Sequence, residues 1–342
     1  MATKSVLTQI EEDRLHMARS LYRINKEKGY PTLNSLNMPV DFGPFLRTKK
    51  LARTDEDIRP AVKLWSTRKT RAKAVELYGD ISDWDVSSVT DMSALFIGKE
   101  MFNADISRWD VSNVTNMSQM FSYTYTFNQP IGRWNVSKVT NMSRMFMWAG
   151  SFNQPIGLWD VSNVTDMSEM FDLAFAFNQP IGKWNVSNVT NMSKMFHSLH
   201  NFNQPIGQWN VSKVTNMSEM FHNASAFNQP IADWKVSNVT DMERMFGGAR
   251  VFNQPIGQWD VSKVANMSYM FYGAHDFNQD ISPWKVGQVT KRENVFGGRP
   301  IDFAEEYKPK WNAVGGGAKK TTRASKKRSR KGRRNARITR RV

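Results

Sequence analysis

The chain of 342 residues contains no cysteine. Disulfide bonds, thiolate zinc sites, cysteine nucleophiles and a cysteine-linked lipid anchor are therefore excluded. No run of about 18 apolar residues occurs, so the sequence predicts no transmembrane helix and no membrane insertion. Glu11, Glu12 and Asp13 lie where a signal peptide would be apolar, so we expect no signal peptide. These absences predict a protein that is intracellular, nuclear or virion-associated.

Acidic residues are missing from the C-terminal segment, residues 318–342. This basic tail contributes +13 of the net charge of +16, which leaves +3 for the rest of the chain. Such a segment cannot bury a core, so we expect it to be disordered when free. We predict that it binds nucleic acid or another polyanion through salt-sensitive phosphate contacts. The residues assigned to this contact are Lys319, Lys320, Arg323, Lys326, Lys327, Arg328, Arg330, Lys331, Arg333, Arg334, Arg337, Arg340 and Arg341. The alternatives are a nuclear localisation signal within residues 326–334 and a tail that only aids solubility.

Tryptophan recurs every 25 residues from Trp84 to Trp284, nine times, without an insertion or a deletion. One unit, residues 156–180, reads IGLWDVSNVTDMSEMFDLAFAFNQP. Its first part has the spacing I-x-x-W-x-V, which matches the short strand of leucine-rich repeats. From Val164 to Ala174 the apolar residues follow at steps of three and four, which predicts a short helix. We therefore predict a leucine-rich-repeat-like solenoid of nine rungs, each with a short parallel strand and a short helix.

The residues that recur in every unit are expected to build the core rather than a site. We predict that the tryptophan and methionine side chains face inward, where methionine fills an adaptable core. The Phe-Asn pair recurs from Phe102-Asn103 to Phe277-Asn278. We expect its asparagine to form an internal ladder that satisfies backbone groups of the adjacent unit.

These motifs resemble the BspA-like leucine-rich-repeat proteins, specifically the mycoplasma-type class with the repeat F-N-x-x-I-x-x-W-D-V-S-x-V-T-x-M-x-x-M-F. The likeness covers residues 81–296. The preceding segment, 58–81, is similar to the helical lead-in of such arrays in algae and their large DNA viruses. The resemblance implies a solenoid used for adhesion or protein binding, and it implies no catalytic residues. Bacterial members are largely surface proteins with a signal peptide, which is not expected here.

The repeat and its flanks divide the chain into five predicted segments. These are an N-terminal helical arm (1–54), a helical capping segment (55–80), the nine-rung solenoid (81–300), a C-terminal cap with a glycine linker (301–317) and the basic tail (318–342).

Two sets of positions are left free by the packing of a unit. The residues on either side of each tryptophan alternate with buried neighbours and should face solvent. From these we select Arg108, Arg133, Asp160, Lys183 and Lys235 as partner-binding candidates. The segment after each Met-Phe pair varies most, and exposed aromatic residues there often mark interfaces. From it we select Tyr123, Tyr125, Trp148 and Phe175.

No motif for catalysis is present: there is no P-loop, no dinucleotide-binding glycine motif and no Ser-His-Asp set. We expect no catalytic residues, no cofactor and no enzyme activity. His197, His200 and His222 lie in adjacent units, but no acidic or cysteine partner is evident, so we predict no metal site.

Together these features predict a non-enzymatic scaffold. Its solenoid surface binds a protein partner, and its basic tail contacts nucleic acid or another polyanion, in a virion-associated or nuclear protein. One alternative is a cell-surface adhesin of the BspA-like type. Another is a nucleic-acid-binding protein in which the solenoid is only a spacer.

Overall fold

The structure is a computed structural model that describes residues 52–298 and 303–311. The predicted helical arm, except for its last three residues, lies outside these ranges, as does the whole basic tail. We number the positions within each 25-residue unit from its isoleucine. Unit 1 therefore begins at Ile81, unit 4 at Ile156 and unit 9 at Ile281.

Two α-helices precede the first unit: α1 (Ile58–Ser66) and α2 (Arg71–Tyr78). α1 buries residues at the helical spacing i, i+3, i+4 and i+7, from Ile58 to Trp65. Trp65 contacts Phe102 of unit 1, with ring centroids 6.0 Å apart. α2 ends at Tyr78, and Gly79 caps it. The φ of Gly79, 78°, favours glycine, and its N–H donates to the carbonyl of Val75. The helices therefore supply apolar side chains to the open side of the first unit.

The units stack through their backbones. In unit 4, every second amide of the segment after position 11 donates to a carbonyl of unit 5, at 2.8–3.1 Å. The pairs are Met167 with Asn191, Glu169 with Ser193, Phe171 with Met195, and Leu173 with His197. Isolated parallel bridges join residues 25 apart, such as Asp166 and Asn191, along the whole array. Each unit is therefore hydrogen-bonded to the next at the same positions.

Side chains 25 residues apart also stack on one another. The rings of Trp184 and Trp209 lie 6.4 Å apart at an interplanar angle of 4°. The tryptophans of all nine units are buried, as are the methionines at positions 12 and 15 of units 2–8. The predicted placement of tryptophan and methionine in the core is confirmed.

The predicted asparagine ladder forms, but it lies at the surface of the stack and not inside it, because its asparagines are exposed or half-buried. Oδ1 of Asn153 accepts hydrogen bonds from the backbone N–H of Asn178 and from Nε2 of Gln179, each at 3.0 Å. Asn153 in turn donates its own N–H to Oδ1 of Asn128. One amide per unit thus satisfies two donors of the following unit.

The helix predicted for the second half of each unit is corrected by the structure. This segment forms consecutive turns in which Met170 N–H donates to Met167 and Ala174 N–H donates to Phe171. The third residues of these turns, Glu169 and Leu173, have φ of 55° and 59°. The physical reason is spacing: the phenylalanine rings at position 16 lie 5.5–6.1 Å apart in adjacent units. An α-helix with side chains is about 10–12 Å wide and cannot repeat at that interval.

The predicted strand is corrected as well. In the I-x-x-W-x-V part, Trp184 N–H donates to Ile181 and Val189 N–H donates to Val186, which makes two tight turns. Residues 52–298 and 303–311 contain isolated bridges and no extended strand. The inward positions are those expected of a strand, but the amides of Trp184 and Val189 bond within the unit.

Residues 303–311 cover the last unit with a short 3-10 segment, Glu305–Tyr307. Phe303 stacks on Phe296 with ring centroids 4.7 Å apart. The carbonyl of Tyr307 accepts the N–H of Ile281 at 3.1 Å. Among the described residues, neither α-helix has the length or apolarity needed to cross a bilayer.

Candidate interaction surface

The residues that flank the tryptophans point to solvent. Arg108, Arg133, Asp160, Lys183 and Lys235 are all exposed, on either side of buried tryptophans. We call these five residues the tryptophan-flanking row. Nη2 of Arg108 lies 2.8 Å from Oδ1 of Asp83 in the preceding unit. The row is therefore a polar surface of mixed charge.

The carboxylate of this row has a structural role of its own. Oδ1 of Asp160 accepts a hydrogen bond from the backbone N–H of Ser162 at 3.0 Å. This bond from side chain to backbone forms a turn over residues 160–162. Hydrogen bonds from the Ser162 hydroxyl and amide lower the pKa of Asp160 below its ordinary value. Asn135 and Asn185 accept the same backbone bond in their units. Asp160 is thus ionised at neutral pH and is already held by its own turn.

Aromatic side chains form a continuous exposed edge across units 2–5. The rings of Tyr123 and Trp148 stack at 6.3 Å, Trp148 meets Phe175 edge to face at 6.0 Å, and Phe175 stacks on His200 at 6.3 Å. We call these four residues the aromatic edge. Tyr123 and Phe175 are 37% and 42% exposed, and Tyr125, at the same position as Phe175, is 41% exposed. Trp148 is half-buried. The structure therefore brings three of the four predicted aromatic candidates into one row.

The backbone beneath this edge is held in an unusual conformation. Tyr123 and Trp148 have φ of 58° and 59°, a left-handed region that costs an L-residue roughly 1–2 kcal/mol. Both amides donate to the next unit at 2.8 Å, Tyr123 to Met147 and Trp148 to Asp172. Hydrogen bonds between stacked units thus hold the strained backbone at these residues. Tyr123 and Trp148 occupy position 18, where other units have glycine, such as Gly248.

A ladder of charges at position 14 was missed by the sequence analysis. Nη2 of Arg144 lies 2.8 Å from Oε1 of Glu169, and Nζ of Lys194 lies 3.5 Å from Oε1 of Glu219. The hydrogen bond and charge of Glu169 raise the pKa of Arg144. The available signal was the alternation of sign at one position in consecutive units, which predicts pairing once the units stack.

The expectation that His197 and His222 have no acidic partner is wrong. Nδ1 of His197 lies 2.6 Å from Oδ1 of Asp172, and Nδ1 of His222 lies 3.4 Å from Oε2 of Glu219. The contact with His222, and then the charge of Lys194, lower the pKa of Glu219 to about 2, although burial acts in the opposite direction. Asp172 shares position 17 with both histidines, one unit before His197 and two units before His222, so the repeat itself carried the signal for the contact with His197.

The tail and one surface pocket remain to be described. The polyanion-binding residues of the tail, within 318–342, lie outside the described residues. A shallow pocket of about 340 Å³ lies beside Arg108, lined by Ser82, Asp83 and Trp84.

Comparison with known proteins gives one family. A family model described as "Mycoplasma protein of unknown function, DUF285" matches residues 66–172, 152–250 and 200–311. These overlapping matches run through the repeat units and cover more than half of the chain. No curated protein matches the sequence.

Proposed function

The chain belongs to the DUF285 family of mycoplasma-type repeat proteins, and from that premise we propose that it is a non-enzymatic binding scaffold. Its nine units form a leucine-rich-repeat-like solenoid, whose surface binds a protein partner. The basic tail, residues 318–342, contacts nucleic acid or another polyanion.

One observation carries the proposal of a protein partner. The side chains that recur in every unit are buried in the stack or hydrogen-bonded between units, whereas the aromatic edge is accessible. Aromatic residues and arginine are enriched at protein interfaces and at their energetic centres. The charge of Arg144 interacts electrostatically with Tyr123, so a cationic side chain accompanies the aromatic edge. This combination fits a folded protein surface better than a small ligand.

Charge supports the second half of the proposal. Thirteen basic residues without an acidic one would contact phosphates in a sequence-independent way. A virion-associated or nuclear setting is part of the proposal, because a polyanion such as a genome is the expected tail ligand there.

The tail is tested by measuring nucleic-acid binding against salt concentration. The comparison uses the full chain, a chain ending at residue 317, and a full-length variant with the 13 basic residues changed to glutamine. We expect the last two to lose at least tenfold in affinity and to show a shallower dependence on salt. Equal binding by all three would reject the tail as the anchor. A variant with Arg108, Arg133 and Lys183 changed to glutamine would then test the tryptophan-flanking row.

The aromatic edge is tested with variants that copy other units. Trp148→Ser reproduces Ser198 at position 18, and Phe175→Ser reproduces Ser225 at position 20. Leu158→Ser is the matched control, because Leu158 is an exposed apolar residue outside the aromatic edge. Proteins that cross-link to the wild-type chain in cells should no longer cross-link to the double variant, which carries both Trp148→Ser and Phe175→Ser. They should still cross-link to the Leu158→Ser control. If the double variant and the control both cross-link to the same proteins as the wild type, the aromatic edge is excluded as the partner-binding surface.

Two alternatives make different predictions. A surface adhesin of the BspA-like type would be found on the cell exterior, which protease treatment of intact cells detects. A nucleic-acid-binding protein with the solenoid as spacer would lose no cross-linked partner in the aromatic variants.

A further inference from the structure

Three side chains at position 17 stack in consecutive units: Asp172, His197 and His222. The imidazole rings of the two histidines lie 5.1 Å apart and are nearly parallel, at 19°. His197 is 18% exposed and His222 is 24% exposed. The repeat thus brings two imidazoles, which are separated by 25 residues in the chain, to adjacent places at one edge.

Glu219 joins this pair from position 14 of the unit that contains His222. Its φ of 55° belongs to the left-handed turn, and its carboxylate lies beside the two imidazoles. One potential ligand atom from each of His197, Glu219 and His222 lies within 4.8 Å of the other two. Nδ1 of His222 is buried and has no hydrogen-bond partner in the described ranges, although Oε2 of Glu219 is 3.4 Å away. A buried nitrogen without a hydrogen bond marks a contact that the protein alone does not complete.

We propose that His197, Glu219 and His222 form a binding site for a divalent metal ion of the zinc class, with Asp172 as the outer partner of His197. Two imidazole nitrogens and one carboxylate are a donor set found in zinc sites that keep a fourth position open. Calcium and magnesium are disfavoured, because they require predominantly oxygen ligands.

Asp172 has the role of an outer-shell carboxylate. It is nearly fully buried, and Oδ1 lies 2.6 Å from Nδ1 of His197. A carboxylate accepts hydrogen bonds, so a neutral His197 in this contact would carry its proton on Nδ1 and leave the lone pair on Nε2. The Ser198 hydroxyl lies within hydrogen-bond distance of Nε2, at 3.2 Å, and the metal ion would displace it. Metal-binding histidines commonly make such a bond through their second nitrogen.

Two features of the site must adjust when a metal binds. Ligand atoms around tetrahedral zinc lie about 3.3 Å apart, given bonds of about 2.0–2.1 Å, so the present spread of up to 4.8 Å must close. Nζ of Lys194 lies 3.5 Å from the other oxygen of Glu219, but the side chain is 38% exposed and can swing into solvent. The two carboxylates would balance the charge of the ion.

The repeat supplies variants that should fold. His197→Ser and His222→Ser reproduce Ser122 at position 17, and Glu219→Gln reproduces Gln119 at position 14. His275→Ser, which reproduces Ser225 at position 20, is the matched control. Asp172→Asn tests the outer partner. Near-ultraviolet circular dichroism establishes that each full-length variant is folded.

The test is calorimetric titration of the chelator-stripped, full-length protein with zinc chloride. We expect one zinc ion per chain, a zinc-dependent rise in Tm, and no heat from magnesium chloride. Each ligand variant should bind at least tenfold more weakly, and Asp172→Asn should lose about 10- to 100-fold, while His275→Ser binds as the wild type does. Cobalt(II) in place of zinc should give the visible spectrum of a four-coordinate site.

Two results would overturn the proposal. One is a folded wild-type protein that does not bind zinc. The other is zinc binding that His197→Ser and His222→Ser leave unchanged, which would place the ion elsewhere. Neither result bears on the aromatic edge or the tail.

Discussion

The indole Nε1 of Trp184 donates a hydrogen bond to the carbonyl oxygen of Ile156, at 3.1 Å, across the boundary between two units. The indole is buried, and its ring also stacks on Phe171 of the same preceding unit. One side chain therefore fills the core and satisfies a backbone acceptor 28 residues earlier.

Trp184→Ala should lower the free energy of unfolding by about 3–5 kcal/mol, because it leaves a large cavity between two units. Trp184→Phe keeps most of the packing and removes only the indole donor, because the Ile156 carbonyl still accepts the N–H of Trp159. A loss of about 0.5–1.5 kcal/mol is therefore expected. Urea denaturation followed by circular dichroism measures both. Leu158→Ala, at an exposed position, is the control and should remain within about 0.5 kcal/mol of wild type. A Trp184→Ala protein of wild-type stability would refute the core assignment.

The asparagine ladder makes a second prediction, because the side chain of Asn153 bonds to the next unit through Oδ1 alone. Asn153→Ala should cost about 1–3 kcal/mol, since the N–H of Asn178 loses its acceptor. Asn153→Asp retains an acceptor oxygen at this place and should cost clearly less. Thermal denaturation of the two variants gives the order of stability. The reverse order would mean that the amide nitrogen contributes more than the oxygen.

The sequence predicted which side chains face inward, but not how the backbone runs between them. Met167, Met170 and Phe171 follow a helical spacing, and they are buried as a helix would bury them. Spacing reports the direction of side chains and says nothing about where the N–H groups bond. Here alternate amides of this segment bond to the next unit, which is decided by the interval between units and not by local preference.

The candidate sites likewise contain features that the sequence predicts and features that it does not. Solvent exposure of Tyr123 and Phe175 follows from the variable positions, so the sequence sufficed to select them. The contact of Glu219 with His222 did not follow, because a left-handed residue redirects its side chain. Predicting that contact requires the turn geometry first.

The turn at Asp160 predicts a dependence on pH. Hydrogen bonds in the folded chain hold the pKa of Asp160 below its ordinary value of 3.8. They therefore add stability above pH 3.8, and this stability is lost as the pH falls through the lower, folded-state pKa. Ser162→Ala removes the hydroxyl donor, so the pKa of Asp160 should rise toward 3.8. Carbon-13 NMR titration of labelled aspartate carboxyls measures the midpoint.

Ser112→Ala is the matched control for that titration, because Ser112 bonds to Asp110 in another unit. It should move the midpoint of Asp110 and leave Asp160 unchanged. An Asp160 midpoint that does not respond to Ser162→Ala would show that the hydroxyl does not act on the carboxylate.

The left-handed position 18 provides a test of backbone strain that is separate from packing. Gly273 has a φ of 69°, and a Cβ added there would meet its nearest atoms, Cα and N of Gly248, at 3.8 Å, an ordinary contact. Gly273→Ala should therefore cost only the conformational penalty of about 1–2 kcal/mol. Gly273→Asn should cost less, because asparagine tolerates this region and Asn223 adopts it at the same position, with φ of 58°. Urea denaturation ranks the three proteins. If alanine proved no worse than asparagine, the left-handed conformation would not limit stability at this position, and crowding between units would have to explain the glycines instead.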